Sequence, residues 1–137
     1  MCDSPRGDGG MDRKDSAYEQ GMALRQDMWG GAGSAQRQTK PSSFTQPFED
    51  LVTRYCFGDV WCREGLDRKT RSLITLAALT ALTKPNQLKA HVRGALANGV
   101  SVEEIREVIM HTAVYSGIPS GVEALNAAAE VLGDEAR

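Results

Sequence analysis

From residue 43 onward, apolar residues recur at three- and four-residue intervals, and no stretch alternates apolar and polar with period two. The sequence therefore predicts an all-α fold. Phe48, Leu51, Val52 and Tyr55 form the first stripe, with Ser43 as its N-cap and Gly58 near its stop. Asp59 to Leu66 then reads as a loop carrying Trp61 and Arg63. Asp67 is placed to cap a helix whose run Leu73-Ile74-Thr75-Leu76-Ala77-Ala78-Leu79 is apolar nearly all round, the pattern of a central, fully packed helix. Pro85 suits the first turn of the next helix and Gly99 its left-handed stop, bracketing Gln87 to Asn98. Ser101 and Glu104 have the spacing of a capping box ahead of the stripe Val102, Ile105, Val108, Ile109 and Ala113. Ser116-Gly117-Ile118-Pro119 breaks that helix and opens a last one, with Val122, Leu125, Ala129 and Leu132 as the expected inner face.

The first 40 residues differ. They hold half of the 14 glycines, mixed with Ser, Asp, Gln and Arg, a composition that buries too little surface to order itself. Residues 1–15 read as a disordered tail and residues 16–137 as one helical domain, the size expected for a chain of 137 residues. Ala17, Leu24, Met28 and Trp29 suit a short helix from Ser16 to Trp29, weakened by Gly21, and Gly30 to Ser43 reads as a linker.

A net charge of −2 removes the electrostatic case for a nucleic-acid partner. The run Leu73 to Leu82 covers about half the roughly 20 residues that a membrane span needs. The N-terminal residues lack the apolar core of a signal peptide, so a cytoplasmic location is expected. Cys2, Cys56 and Cys62 form no CxxC pair and read as free thiols, the latter two as packing residues.

The candidate chemistry lies between Arg54 and Arg93. His91 falls about 60° from Leu88, on the edge of the stripe Leu88, Val92, Ala95 and Leu96, and so faces the interior. Imidazole titrates near neutral pH, which makes His91 a candidate general acid; a satisfied core histidine is the alternative. Arg63, Arg71 and Arg93 are candidates to grip substrate carboxylates through charge-assisted forks, or else are solvated on the surface or pair with Asp59, Glu49 or Glu107. Trp61 and Tyr55 either wall a pocket or belong to the core. His111, toward the flank of its stripe, suits a surface or an interface, and two histidines 20 residues apart make a poor metal site.

Several stretches resemble the carboxymuconolactone decarboxylase family: Tyr18-x-x-Gly21-Met22-x-x-Arg25, Arg54-Tyr55-x-Phe57-Gly58-Asp59-Val60-Trp61, Gly65-Leu66-x-x-x-x-Arg71-Ser72-Leu73, Leu88-x-x-His91-x-Arg93, Asn98-Gly99-Val100, Glu104-Ile105-x-Glu107-Val108 and Tyr115-x-Gly117-Ile118-Pro119. The resemblance runs from Tyr18 to Leu132. It implies a compact helical subunit of the alkylhydroperoxidase D-like type, assembled into a homo-oligomeric ring (a hexamer or a trimer), and decarboxylation without metal or organic cofactor. The reaction implied turns gamma-carboxymuconolactone into 3-oxoadipate enol-lactone and CO2. Electrons from the broken bond flow through the ring double bond to the lactone carbonyl, and the dienolate is then protonated, with His91 as donor and the arginines as carboxylate clamps.

The peroxidase branch of the fold carries CxxC where this chain has Lys84 and Gln87, so its redox chemistry is not expected. The chain also departs from the family's usual Arg-Pro-Gly-Leu at Arg63-Glu64-Gly65-Leu66, and from Pro-Ala-Ala-Asn at Pro119-Ser120-Gly121-Val122. Val122 in place of an Asn changes what a pocket there holds. Two other functions are therefore weighed: a tailoring enzyme of aromatic or polyketide metabolism with the same acid and oxyanion site, and a non-catalytic assembly protein.

Overall fold

Helix Arg13–Trp29 (α1) opens the computed structural model, which describes residues 13–30 and 42–137. The expected tail lies outside the described residues up to residue 12, as does the expected linker from 31 to 41. The described residues contain no strand, as the periodicity predicts, and none of their helices is long and apolar enough to cross a membrane. They group into two compact units, one up to Asp67 and one from Arg68.

In the first unit α1 packs against a second helical stretch, Gln46–Leu51 (α2) continued by a π-helical segment, Val52–Trp61. The start is not capped by Ser43. Ser42 and Thr45 instead exchange backbone-to-side-chain hydrogen bonds at 3.1 and 3.3 Å, and Pro47 occupies the first turn. Nor does the helix stop near Gly58: it continues to Trp61, which stands on the helix and not in a loop. Bonds from i to i+5 put more residues in each turn, and Thr53, Phe57 and Gly58 become the buried positions.

Gly58 is a contact point. A Cβ there would lie 2.0 Å from the carbonyl oxygen of Ala17, and one on Gly21 would lie 2.0 Å from that of Thr53. The two backbones touch, so the roughly 1 kcal/mol that glycine costs inside a helix is exchanged for a crossing no other residue permits. Trp29, Phe57 and Trp61 fill the space beside it, Trp29 edge-on to Phe57 at 5.5 Å and Trp61 tilted against Phe57 at 5.9 Å. Cys56 is a free thiol. Cys62 is disulfide-bonded, which corrects the expectation that all three cysteines are free; Cys2 lies outside the described residues.

The second unit has four helices, Arg68–Ala81 (α3), Pro85–Ala97 (α4), Val102–Ser116 (α5) and Ile118–Leu132 (α6), closed by a 3₁₀ turn at Gly133–Ala136. Helix α3 packs on α4 and α5, and α6 packs on α4 and α5. The start and stop signals read from the sequence hold. Pro85 opens α4, Gly99 turns at φ +87° and Gly117 at φ +105°. The Ser101 hydroxyl accepts from the Glu104 amide at 3.0 Å while the Glu104 carboxylate accepts from the Ser101 amide at 2.9 Å. That bond from the Ser101 backbone, with Lys69 at 2.9 Å, lowers the pKa of Glu104.

Two expected faces are wrong. In α3 only Ser72, Leu76 and Thr80 are buried and Ile74 is exposed, so α3 is not the fully packed helix. That place belongs to α4, whose Leu88, Ala90, His91, Val92, Gly94 and Ala95 are all buried. In α6 the inner face is Gly121, Ala124, Ala127 and Ala128, while Val122, Leu125 and Ala129 are exposed. A Cβ on Gly121 would lie 2.7 Å from Cβ of Ala113, so α5 and α6 approach too closely for larger side chains.

Between α3 and α4 the turn has an unusual residue. Thr83 adopts φ +52°, the one non-glycine with positive φ among the described residues. The left-handed conformation costs an L-residue about 1–2 kcal/mol, and β-branching makes it rarer still.

Candidate active site on α4

Helix α4 carries His91 into the second unit's core. The stripe Leu88, Val92 and Ala95 is closed over by Leu76 of α3, Ile105 and Ile109 of α5, and the alanines of α6. One turn along the helix from Leu88 and from Ala95, His91 shares that side and is 6% exposed, facing inward as its position on the stripe predicts. Burial disfavours the charged imidazolium and lowers the pKa of His91 from 6.5 to about 4. At neutral pH His91 is therefore neutral in the ligand-free protein.

Arg71 sits in the first turns of α3, half-buried. The neighbouring Ser72 hydroxyl accepts a hydrogen bond from Nδ2 of Asn98, the residue that ends α4, at 3.0 Å. This pins the start of α3 to the end of α4. Asn98 is seven residues beyond His91, about 10 Å along the axis of α4. Arg68, also half-buried and three residues before Arg71, shares its side of α3. Sequence reasoning missed Arg68; its i,i+3 spacing to Arg71 is the signal that finds it.

Arg93 is brought to a different side. Two residues beyond His91, it is exposed on the face of α4 turned away from the core. Arg63, Trp61 and Tyr55 belong to the first unit. Arg63 is exposed after the π-helical segment, Tyr55 is 60% exposed, and Trp61 is half-buried against Phe57. His111 is exposed on α5 with its ring 5.4 Å from that of Tyr115, as its flanking position predicts.

The first unit buries a charge the sequence did not reveal. Arg25 is 2% exposed; its Nη1 donates to Thr53 Oγ1 at 2.6 Å and its Nη2 to Glu49 Oε2 at 3.1 Å. The guanidinium also lies 5.3 Å from the centre of the Phe57 ring. With these partners Arg25 is a structural cation, and Glu49, weighed as a mate for the candidate arginines, pairs with Arg25. Glu107 likewise pairs with Arg106, on the surface of α5. Burial pushes the Cys56 thiol pKa up, against the opposing pull of Arg25. Among the described residues no group of three or more His, Cys, Asp or Glu is placed to hold a metal ion.

The chain is similar to several known proteins. 4-Carboxymuconolactone decarboxylase of Acinetobacter baylyi is 37% identical over 117 residues, covering 85% of this chain and 87% of its own length. Nitrosuccinic acid decarboxylase of Metarhizium robertsii is 38% identical over 117 residues, covering 85% and 82%. An uncharacterised 15.0 kDa protein of Paracoccus denitrificans is 44% identical over 82 residues, covering 58% and 60%. Residues 46–130, from the start of α2 into the last turn of α6, match the model of the carboxymuconolactone decarboxylase family, and the chain belongs to that family.

Proposed function

We propose that this carboxy-lyase works without a cofactor on a small carboxylated lactone or a like acid, with His91 moving the proton. The observation that carries the reading is His91 itself, an imidazole withdrawn from water on the buried, otherwise apolar side of α4. The reaction consumes one proton: the carboxylate's C–C bond breaks, its electrons pass into a conjugated acceptor, CO2 leaves, and the carbanion equivalent takes H⁺. Because the resting His91 is neutral, it is not a ready acid, and the simple donor role needs a step before it. An anionic substrate beside the ring raises the imidazole pKa. Substrate and proton then enter together, and the imidazolium so formed protonates the dienolate after CO2 has left.

Arg71, joined by Arg68, holds the spectator carboxylate at the other end of the substrate. A cation there that does not solvate the departing carboxylate favours the neutral product at the transition state. Arg93 stays a proposed substrate-binding residue on its match to the family's motifs alone, and so, within the first unit, do Arg63, Trp61 and Tyr55.

Two relatives of near-equal identity over 117 residues favour a second substrate class. The name of one specifies a carboxymuconolactone, that of the other nitrosuccinic acid; the first offers a lactone carbonyl as electron sink and the second a nitro group. A tailoring enzyme acting on an acid with either sink fits the same His91 chemistry. Incubating the purified protein with each acid and measuring CO2 release with the proton uptake decides between them. No release from either sinks both readings.

Self-association is also proposed. Met110, Val114 and Tyr115 of α5 and Ile118 and Val122 of α6 are between 51% and 82% exposed. Beside them a groove of about 260 Å³ opens over Ile105, Ile109, Leu125 and Leu132. Apolar surface on this scale marks an interaction face, and a second copy of the chain suits a ring-forming enzyme. A monomer in light scattering at micromolar concentration counts against it.

A further inference from the structure

We propose that Thr83 and Ser120 act as positioning residues for His91, forming a latch that fixes the corner between α3 and α4 against the first turn of α6. The inference rests on the reading of His91 as the working group. Thr83 Oγ1 and Ser120 Oγ lie 3.2 Å apart, a contact across 37 residues of sequence. Thr83 ends α3 in a left-handed turn, its amide donating to the Thr80 carbonyl at 3.1 Å and the Lys84 amide to the Leu79 carbonyl at 3.0 Å. Glycine is the residue that suits such a position. What threonine adds over glycine is a side chain, and the hydroxyl of that side chain touches Ser120.

Stability does not account for the choice. The hydroxyl contact is solvent-exposed, so its net gain is no larger than the cost of the strained backbone. What remains is position. Lys84 and Pro85 follow at once and start α4, and the Lys84 carbonyl accepts the Leu88 amide at 2.9 Å. Leu88 is 1% exposed and packs into the same corner, with Leu79, Thr80, Thr83, Ser120 and Ala124 and no room for a water between them. His91 is one turn beyond Leu88 on the same side of a rigid helix. Slack at the corner therefore reaches His91 as a tilt of α4 that lets water to the ring. The charged groups at the corner are Lys84 and Glu123, and further along α4 Lys89 pairs with Glu130.

The test uses the 137-residue chain and its two histidines, with a His111→Asn background assigning the ring signals. Thr83→Gly relieves the backbone and removes the hydroxyl, Ser120→Ala removes the partner alone, and Thr83→Ser keeps the contact. In Thr83→Gly and Ser120→Ala, NMR titration should find His91 moved up from about 4 toward 6.5, with kcat down about tenfold and KM within about twofold. Thr83→Ser should restore both. A His91 that titrates as in the parent in both deletions overturns the latch, whatever happens to the melting temperature. A ring that moves while turnover is unchanged upholds the latch and overturns instead the reading of His91 as the working group.

Discussion

Arg25 and Glu49 form an ion pair, 3.1 Å from Nη2 to Oε2, in which the arginine is 2% exposed and the carboxylate 19%. A guanidinium taken out of water is helped by Thr53, which accepts from Nη1, and by the Phe57 ring beside it, although its Nε is buried without a hydrogen bond. The first unit is thus built around a cation, with α1 holding one partner and α2 the other.

Removing one member should be worse than removing both. Arg25→Met leaves the Glu49 carboxylate without its mate and should cost about 3–5 kcal/mol, whereas Arg25→Met with Glu49→Leu should recover much of that. Urea denaturation measures both. A double variant no more stable than Arg25→Met would show that the pair itself, and not the stranded charge, supplies the stability.

The crossing of α1 with the π-helical segment should tolerate no side chain. Gly21→Ala and Gly58→Ala each drive a methyl to 2.0 Å from a backbone oxygen that cannot swing aside, and each should cost more than the ~0.5–3 kcal/mol of an ordinary substitution. Gly65→Ala, with open space around it and no positive φ, is the control and should be close to neutral. Protease sensitivity of α1 reads the result. Unchanged protection in Gly58→Ala would mean that the helices do not cross where they are placed.

Helix ends in this chain are local events, and the sequence states them: Ser101 with Glu104, Pro85 with Gly99, and Gly117 at the last break all act within a few residues of themselves. Helix faces are not local. Val122 and Leu125 out-compete Gly121, Ala124, Ala127 and Ala128 on any hydrophobicity scale, yet the small residues face inward because α5 comes within a methyl's width of Gly121. Their own recurrence at three- and four-residue steps is the sign that was legible. Gly58 misled for the same reason, since a glycine read alone is a stop and read against Ala17 is a contact.

The site was legible in part. An inward His91 follows from its stripe, and burial follows from that, but a pKa as low as about 4 needs the neighbouring helices to be in place. Arg25 is marked in the sequence only as a matched family position; its burial was not legible because it depends on partners 24 and 28 residues away.

The depressed His91 pKa makes stability depend on pH with a definite sign. Below 6.5 the unfolded chain binds a proton at this histidine that the folded protein refuses until about pH 4. Stability should therefore fall as pH drops through that window, by about 3 kcal/mol in all from this one group, and be insensitive to it above pH 7. In His91→Gln the same pH decrease should cost correspondingly less. Denaturation midpoints at pH 7, 5.5 and 4.5 for the two proteins test this, and parallel curves would place His91 in a wetter setting than the fold gives it.

Kinetics separate the proposed roles. His91→Gln keeps a polar group of similar size on α4 but cannot carry the proton, so turnover on the true substrate should fall by about 10²–10⁴-fold, the usual worth of a positioned acid, with the protein still folded. Parent enzyme mixed with substrate should take up a proton on binding, seen as a buffer-dependent heat in calorimetry, because the neutral imidazole must charge before it can give. Arg71→Ala removes a carboxylate clamp used alike in ground and transition states, and should raise KM with kcat nearly unchanged. If instead His91→Gln turns over at the parental rate, His91 is a buried core residue and the donor is another group or water. If Arg71→Ala lowers kcat and leaves KM alone, Arg71 acts on the developing charge itself, which would place the departing carboxylate and not the spectator at the start of α3.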